Sequence, residues 1–303
     1  MATNTGIKLK TRAIFSVTLV IALIAVLTTA SFSWFSMRHD LKVNEFRVGV
    51  SKSLNLKLVD EGSSGDNIVT NWGEAFTLKP IWGDGCNFFV PEYQRTEVVA
   101  GSGVYDDLPT GDYLGVANVK EYAFVMEFGM TVNAYVDLYL DFTTESNSRV
   151  AICQGSEGRK SAYGDFSKDY VIGATRVAVF EGDTLKMIWI PNSTIQLVEL
   201  EDGTCQLLTD GEVEESYTFI KQDKTTFKIY TEGKANGNVV VDDVVYVWGD
   251  ITSENCPTIT TFMGKKNFKA IAWIDGNDRE CTNALVGGKI NVNLCFAATE
   301  KQI

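Results

Sequence analysis

The sequence predicts an all-β fold, a jelly-roll-like β-sandwich preceded by an N-terminal hydrophobic helix. Three observations lead there. Apolar residues recur with period two rather than 3.6 through most of the chain, as half-buried strands require. Turn dipeptides built on Gly, Asp and Asn separate the apolar runs. The first 37 residues stand apart: three basic residues, Lys8, Lys10 and Arg12, precede a stretch with no charge from Ala13 to Met37.

That first segment has two readings. A basic n-region, an apolar core from Ile14 to Leu27 and the small-residue run Thr28-Thr29-Ala30 form a secretory signal, cut at Ala30. The same uncharged run is long enough to cross a hydrocarbon layer of about 30 Å as a retained helix, with the preceding basic residues holding the N-terminus inside. Phe32, Trp34 and Phe35 then suit a membrane interface. In either case residues 38–303 are expected outside, at the cell surface or beyond it, as an extracellular β-sandwich region, one large β domain or two, with a long surface loop at 99–115.

The strands follow in order. Leu41 and Val43 lead to Phe46, Val48 and Val50 with one slip of phase at Asn44-Glu45, the signature of a β-bulge. Leu54, Leu56 and Leu58 continue the alternation. From Tyr122 to Val132 every even position is large and apolar; after a break at Asn133-Ala134 the pattern resumes at Val136, Leu138, Leu140 and Phe142, which reads as two strands. Gly182-Asp183 divides "TRVAVFE" from "TLKMIWI", Asp202-Gly203 divides "IQLVELE" from "TCQLLTD", and Asn236-Gly237 precedes "NVVVDDVVYVW". The final strand alternates Ile290, Val292, Leu294 and Phe296 with Asn291 and Asn293. A single helical turn is expected within 279–286.

Charge and composition exclude several functions. The chain carries a net charge of −12, and removing residues 1–30 leaves 24 Lys+Arg against 39 Asp+Glu, a net charge of −15. Nucleic acid and anionic lipid surfaces need clustered cations and are disfavoured as partners. The single histidine, His39, excludes HExxH metal sites and argues against Ser-His-Asp or Cys-His catalysis. There is no P-loop. Carboxylates abound, but nothing pairs two of them for hydrolysis. The expectation is a protein that is not an enzyme. Six cysteines without CxxC spacing permit three disulfides in fifteen pairings, or serve as small buried residues.

Three features carry the remaining binding chemistry. Asp275, Asn277, Asp278 and Glu280 in "DGNDRE" offer oxygen ligands on a tight turn, a calcium candidate lacking the EF-hand spacing; no other cofactor is expected. Trp82, Phe88, Phe89, Tyr93, Tyr105 and Tyr113 offer loop aromatics for a glycan or protein contact. The strand bearing Leu41, Val43, Phe46, Val48 and Val50 is placed to pair with the sheet edge of a neighbouring copy. "NST" at Asn192 fits a glycosylation sequon.

The junction "TTASFSWFS" followed at once by an alternating strand resembles exported proteins of Gram-positive bacteria whose signals are processed by the SipW-type peptidase, among them the TasA and camelysin groups. "LKP" followed by "GDGCNFF" (78–89), "RVAVFEGD…IWIP" (176–191) and "AWIDGNDREC…GGKINVNLCF" (272–296) are similar to clostridial surface proteins with the same kind of N-terminus. The resemblance implies a jelly-roll sandwich, export and, for the TasA group, assembly into extracellular filaments or biofilm matrix. The protease activity attributed to camelysin finds no zinc motif here. The expected function is a self-associating surface subunit, with a membrane-tethered adhesin or glycan binder as the alternative.

Overall fold

A chain whose apolar residues alternate must bury one sheet face, and a chain with near-continuous apolar runs must bury two. Both kinds of strand occur here. The computed structural model describes residues 41–50, 57–60, 63–65, 67–99, 104–142, 148–152, 172–191, 196–199, 205–208, 216–231, 236–249, 256–278, 281 and 289–301. The predicted N-terminal helix, the cleavage position Ala30, His39, the Asn192 sequon and most of the helical turn at 279–286 lie outside these residues. Everything described belongs to one unit, His39–Ile303.

The protein is all-β. In chain order the strands are β1 (Leu41–Val50), β2 (Lys57–Asp60), β3 (Ser63–Gly65), β4 (Asn67–Leu78), β5 (Pro80–Gly83), β6 (Phe88–Val99), β7 (Val104–Gly115), β8 (Phe124–Leu140), β9 (Arg149–Ile152), β10 (Thr175–Glu181), β11 (Thr184–Ile190), β12 (Gln196–Glu199), β13 (Cys205–Leu208), β14 (Ser216–Ile220), β15 (Thr226–Tyr230), β16 (Gly237–Val241), β17 (Val244–Trp248), β18 (Thr260–Asp275) and β19 (Lys289–Glu300). A 3₁₀ turn, Val119–Glu121, leads into β8; Asn118 caps it by accepting from the Lys120 N–H.

Fifteen of these strands form one sheet whose main path runs β16-β17-β11-β10-β18-β8-β19-β1-β4. Its pairings are mixed: β1 with β19, β11 with β17 and β18 with β5 are parallel. Register places Val247, Trp189, Val177, Ala272 and Phe124 in one row across β17, β11, β10, β18 and β8. All five face the main core, as do Leu140 and Phe296 where β8 meets β19, and Val292 and Phe46 where β19 meets β1. One continuous face therefore looks inward from β17 to β1, and the sheet curls around that core. Phe46 of β1 stacks on Phe124 of β8 at 4.6 Å between ring centroids, across the interior.

The opposite face of β10, β11, β17 and β18 is buried too. Ala178, Phe180, Ile188, Tyr246, Trp248 and Trp273 form a second core, covered by Ile81 and Phe88 and by Tyr217, Phe219 and Ile229 of the β14–β15 hairpin. The covering layer makes the architecture a sandwich and explains the near-continuous apolar runs "VAVF" and "MIWI".

Several predicted elements take a different form. The alternations before and after Asn133-Ala134 belong to one 17-residue strand, β8, in which Asn133, Ala134 and Tyr135 stand opposite the single residue Met263 of β18. Residues 104–115 of the expected surface loop form β7, antiparallel to β6. The Asn236-Gly237 signal is not the hairpin turn. The turn is Asp242-Asp243, with both residues at positive φ (52° and 63°), as a two-residue type I′ turn demands. Gly237 opens β16, and a Cβ there would lie 2.5 Å from the Trp248 ring. The expected hairpins at 181–184 and 196–208 do form, and Gly182 adopts φ +58°.

Candidate functional site

The strand predicted to act between copies is β1, and its sequence dictates its two faces. With the bulge at Asn44, Val43, Phe46, Val48 and Val50 fall on one side, and Val43, Phe46 and Val48 have no exposed surface. Glu45 and Arg47 fall on the other side, joined by a 3.0 Å ion pair. The predicted phase slip is present: register shifts between Val43 and Glu45 against both neighbours. On the β4 side, residues 72–75 stand opposite Asn44 alone.

The strand is not a free edge. It lies between β19, parallel, from Lys42↔Lys289 to Val50↔Phe296, and β4, antiparallel, from Leu41↔Leu78 to Gly49↔Asn67. The expectation of an exposed strand waiting for a neighbour's edge is corrected accordingly: within one chain β1 fills an interior slot. Both of its hydrogen-bonding edges are engaged, and its apolar face completes the main core. Burying a Val or Phe side chain is worth about 1.5–3 kcal/mol each, so the slot holds its strand firmly.

The acidic turn 275–278 also reads differently in three dimensions. Arg176, at the start of β10, is buried and reaches the turn. Its Nε lies 3.5 Å from Asp275 Oδ2, and its Nη2 donates to Asp278 Oδ2. Nη1 donates to the carbonyls of Gly173 and, at 3.0 Å, Thr175, and the guanidinium lies 5.4 Å from the Tyr217 ring centroid. Asp275 Oδ1 accepts from the Asn277 N–H at 3.0 Å. Two of the four calcium candidates, Asp275 and Asp278, thus face the Arg176 guanidinium, and Glu280 lies outside the described residues. The described residues contain no cluster of three or more His, Cys, Asp or Glu side chains suited to a metal. Burial, the largest influence, pushes the Asp275 carboxyl up to about 7; Arg176 pulls it down, Asp278 adds to the rise and the Asn277 N–H opposes it.

The turn is a junction as well. The Gly276 N–H donates to Ile81 at 3.0 Å, and Tyr93 Oη donates to the Gly276 carbonyl at 2.9 Å. The clasp therefore ties β10 and β18 to the covering layer of β5 and β6.

The loop aromatics are packing residues. Trp82 donates to the Thr218 carbonyl at 3.0 Å and packs edge-on against Tyr113. Phe89 also meets Tyr113, and Phe88 meets Trp273. Tyr113 Oη donates to the Lys224 carbonyl at 2.8 Å. These rings join the β5–β7 layer to the β14–β15 hairpin. The side chain of Tyr105 lies outside them.

Cys86, Cys256 and Cys295 carry free thiols. Burial pushes Cys256 and Cys295 up to about 11 and raises Cys86, with Asp84 adding to the rise. All three stay protonated at neutral pH, which is unsuited to nucleophilic work. Among the described residues no helix is long and apolar enough to cross a membrane. Comparison with family models, curated proteins and solved structures found no match for the chain.

Proposed function

We propose that this chain is an exported, non-enzymatic surface protein that self-associates, with β1 as the element exchanged between copies. The observation that carries this reading is the place of β1. It is the first strand of the described domain, and it lies between β4 and β19, the second of which is remote in sequence and forms no hairpin with it. A strand at the start of a domain can leave its slot without drawing other strands after it. The empty slot then exposes two sheet edges and an apolar floor, which the same strand of another copy fills with identical contacts. Such an exchange is nearly neutral in contact energy, and local concentration decides it. The N-terminal segment supports export and a concentrated array at the surface. Of the aromatics behind the adhesin reading, Trp82, Phe88 and Phe89 are buried in packing contacts, which favours self-association over it.

A cross-link tests the exchange. Gly49 is the register partner of Cys295, and a residue placed there sits about 4.8 Å across the strand pair. Gly49→Cys, oxidised in the protein recovered from native envelopes, is expected to give a ladder of covalent oligomers on non-reducing gels, since β1 of each copy meets Cys295 of the next. Wild-type protein oxidised in parallel should lack that ladder. Cross-linked monomer alone, from preparations that contain filaments by negative-stain microscopy, would overturn the exchange.

A further inference from the structure

We propose that Asn236 is a self-modification site: the main-chain nitrogen of Gly237 closes on its side-chain amide and converts it, through a cyclic imide, to aspartate or isoaspartate, at a rate set by opening of the Gly237–Trp248 strand pair. The inference goes beyond the self-association reading and does not depend on it.

Asn236-Gly237 is the single Asn-Gly step in the chain. Ring closure favours that step because glycine puts no Cβ in its path and lets the backbone turn toward the side chain. A glycine in an ordinary turn can often be exchanged for another residue. Here it cannot: the turn lies at Asp242-Asp243, and a Cβ on Gly237 would lie 2.5 Å from the Trp248 ring. Packing against Trp248 therefore keeps the reactive step in the sequence. Asn236 itself is exposed, in a bend just ahead of β16, so water reaches its amide.

The reaction needs only water. Gly237 N attacks Asn236 Cγ and yields its proton to solvent; the bond from Cγ to the side-chain nitrogen breaks, and ammonia leaves. Water then opens the imide. Opening at Cγ leaves an ordinary aspartate. Opening at the main-chain carbonyl routes the backbone through Cβ and Cγ, which is isoaspartate. No electrons are gained or lost.

The fold sets the pace. The two-residue turn makes Val241↔Val244 a hydrogen-bonded pair, and alternation gives Val239↔Tyr246 and Gly237↔Trp248 the same character. The Gly237 N–H is therefore held in the ladder, and its nitrogen is withheld from attack while the pair stands. The pair is also the one farthest from the turn in a five-residue strand, and ladder ends open first. Once formed, isoaspartate adds a carbon to the main chain ahead of Gly237 and a negative charge to a chain already at −12. The added length displaces Gly237 from its fit on Trp248. Val239 and Val241, which pack partly against the second core, then lose their anchor. The step is a slow, one-way clock on the β16–β17 hairpin.

The test holds full-length protein in detergent micelles at alkaline pH and follows amide-to-acid conversion by peptide mass mapping, with isoaspartate read by an isoaspartyl methyltransferase. Asn236 should convert well ahead of Asn118 and Asn267, which are also exposed. In urea at the same pH its conversion should run about tenfold faster or more, because the ladder no longer holds the Gly237 N–H. Aged wild type should melt below fresh wild type. Asn236→Gln, whose longer side chain closes a ring poorly, should lose the methyltransferase signal at this peptide and melt alike before and after ageing. Conversion of Asn236 no faster than that of Asn118 and Asn267 overturns the site. Equal rates in native buffer and in urea overturn the control by the strand pair.

Discussion

Asp275 shows how a residue's role can invert between sequence and structure. In sequence it belongs to a polar, acidic turn that reads as solvated or metal-binding; in the fold it lies 5% exposed against Arg176, 99 positions away. No periodicity or spacing connects the two, so the ion pair was not legible. Its consequence is measurable. The folded carboxyl is raised to about 7 from an ordinary value of 3.8. The folded state then binds more protons than the unfolded state between about pH 4 and pH 7, and stability falls as pH rises through that window. The raised value is worth on the order of 4 kcal/mol, from about 1.4 kcal/mol per unit. Asp275→Asn keeps the oxygen that accepts from the Asn277 N–H and removes the titration. Urea denaturation from pH 4 to pH 8 should show a flatter profile for the variant than for wild type. A profile that stays parallel to wild type would assign the dependence to other groups.

Elements were the most legible scale, and the exceptions are instructive. The inward positions of β1, β8 and β19 are all visible in the alternation, and even the bulge at Asn44 shows as a single slip of phase. What alternation does not reveal is whether a break is an end or an irregularity. The break at Asn133-Ala134 is a bulge because Met263 of β18 stands alone opposite three residues of β8, and β18 is remote in sequence. The β16–β17 hairpin misleads for a different reason. Asn236-Gly237 carries the strongest local turn signal, yet Gly237 is demanded by the Trp248 ring and the turn falls on two aspartates. Left-handed backbone costs a non-glycine residue roughly 1 kcal/mol. Asp243→Gly, at φ +63°, is therefore expected to raise stability by a few tenths to 1 kcal/mol and the melting temperature by about 1–3 °C. Differential scanning calorimetry checks this, and a lowered midpoint would mean that the Asp243 side chain contributes more than its backbone strain costs.

At the scale of the whole molecule, the sequence announces a β protein but not its strand order. The parallel pairs β1–β19 and β11–β17 join segments that no local signal links, and the curl of the sheet follows from them. The acidic surface has a predictable bearing on association. With a net charge of −12, copies repel at long range. Raising ionic strength from about 0.02 to 0.3 M shortens the screening length severalfold, and light scattering should then show faster growth of assemblies at fixed protein concentration. Slower growth would indicate that ion pairs, rather than strand edges, hold copies together. The parallel partnership of first and last strands has one more consequence. Because β1 and β19 run in the same direction, a pull applied through the segment before Leu41 and another through the chain beyond Glu300 act from opposite ends of one strand pair. The load falls in shear across eight paired positions at once, rather than peeling them one by one. A domain built this way resists traction along its own backbone.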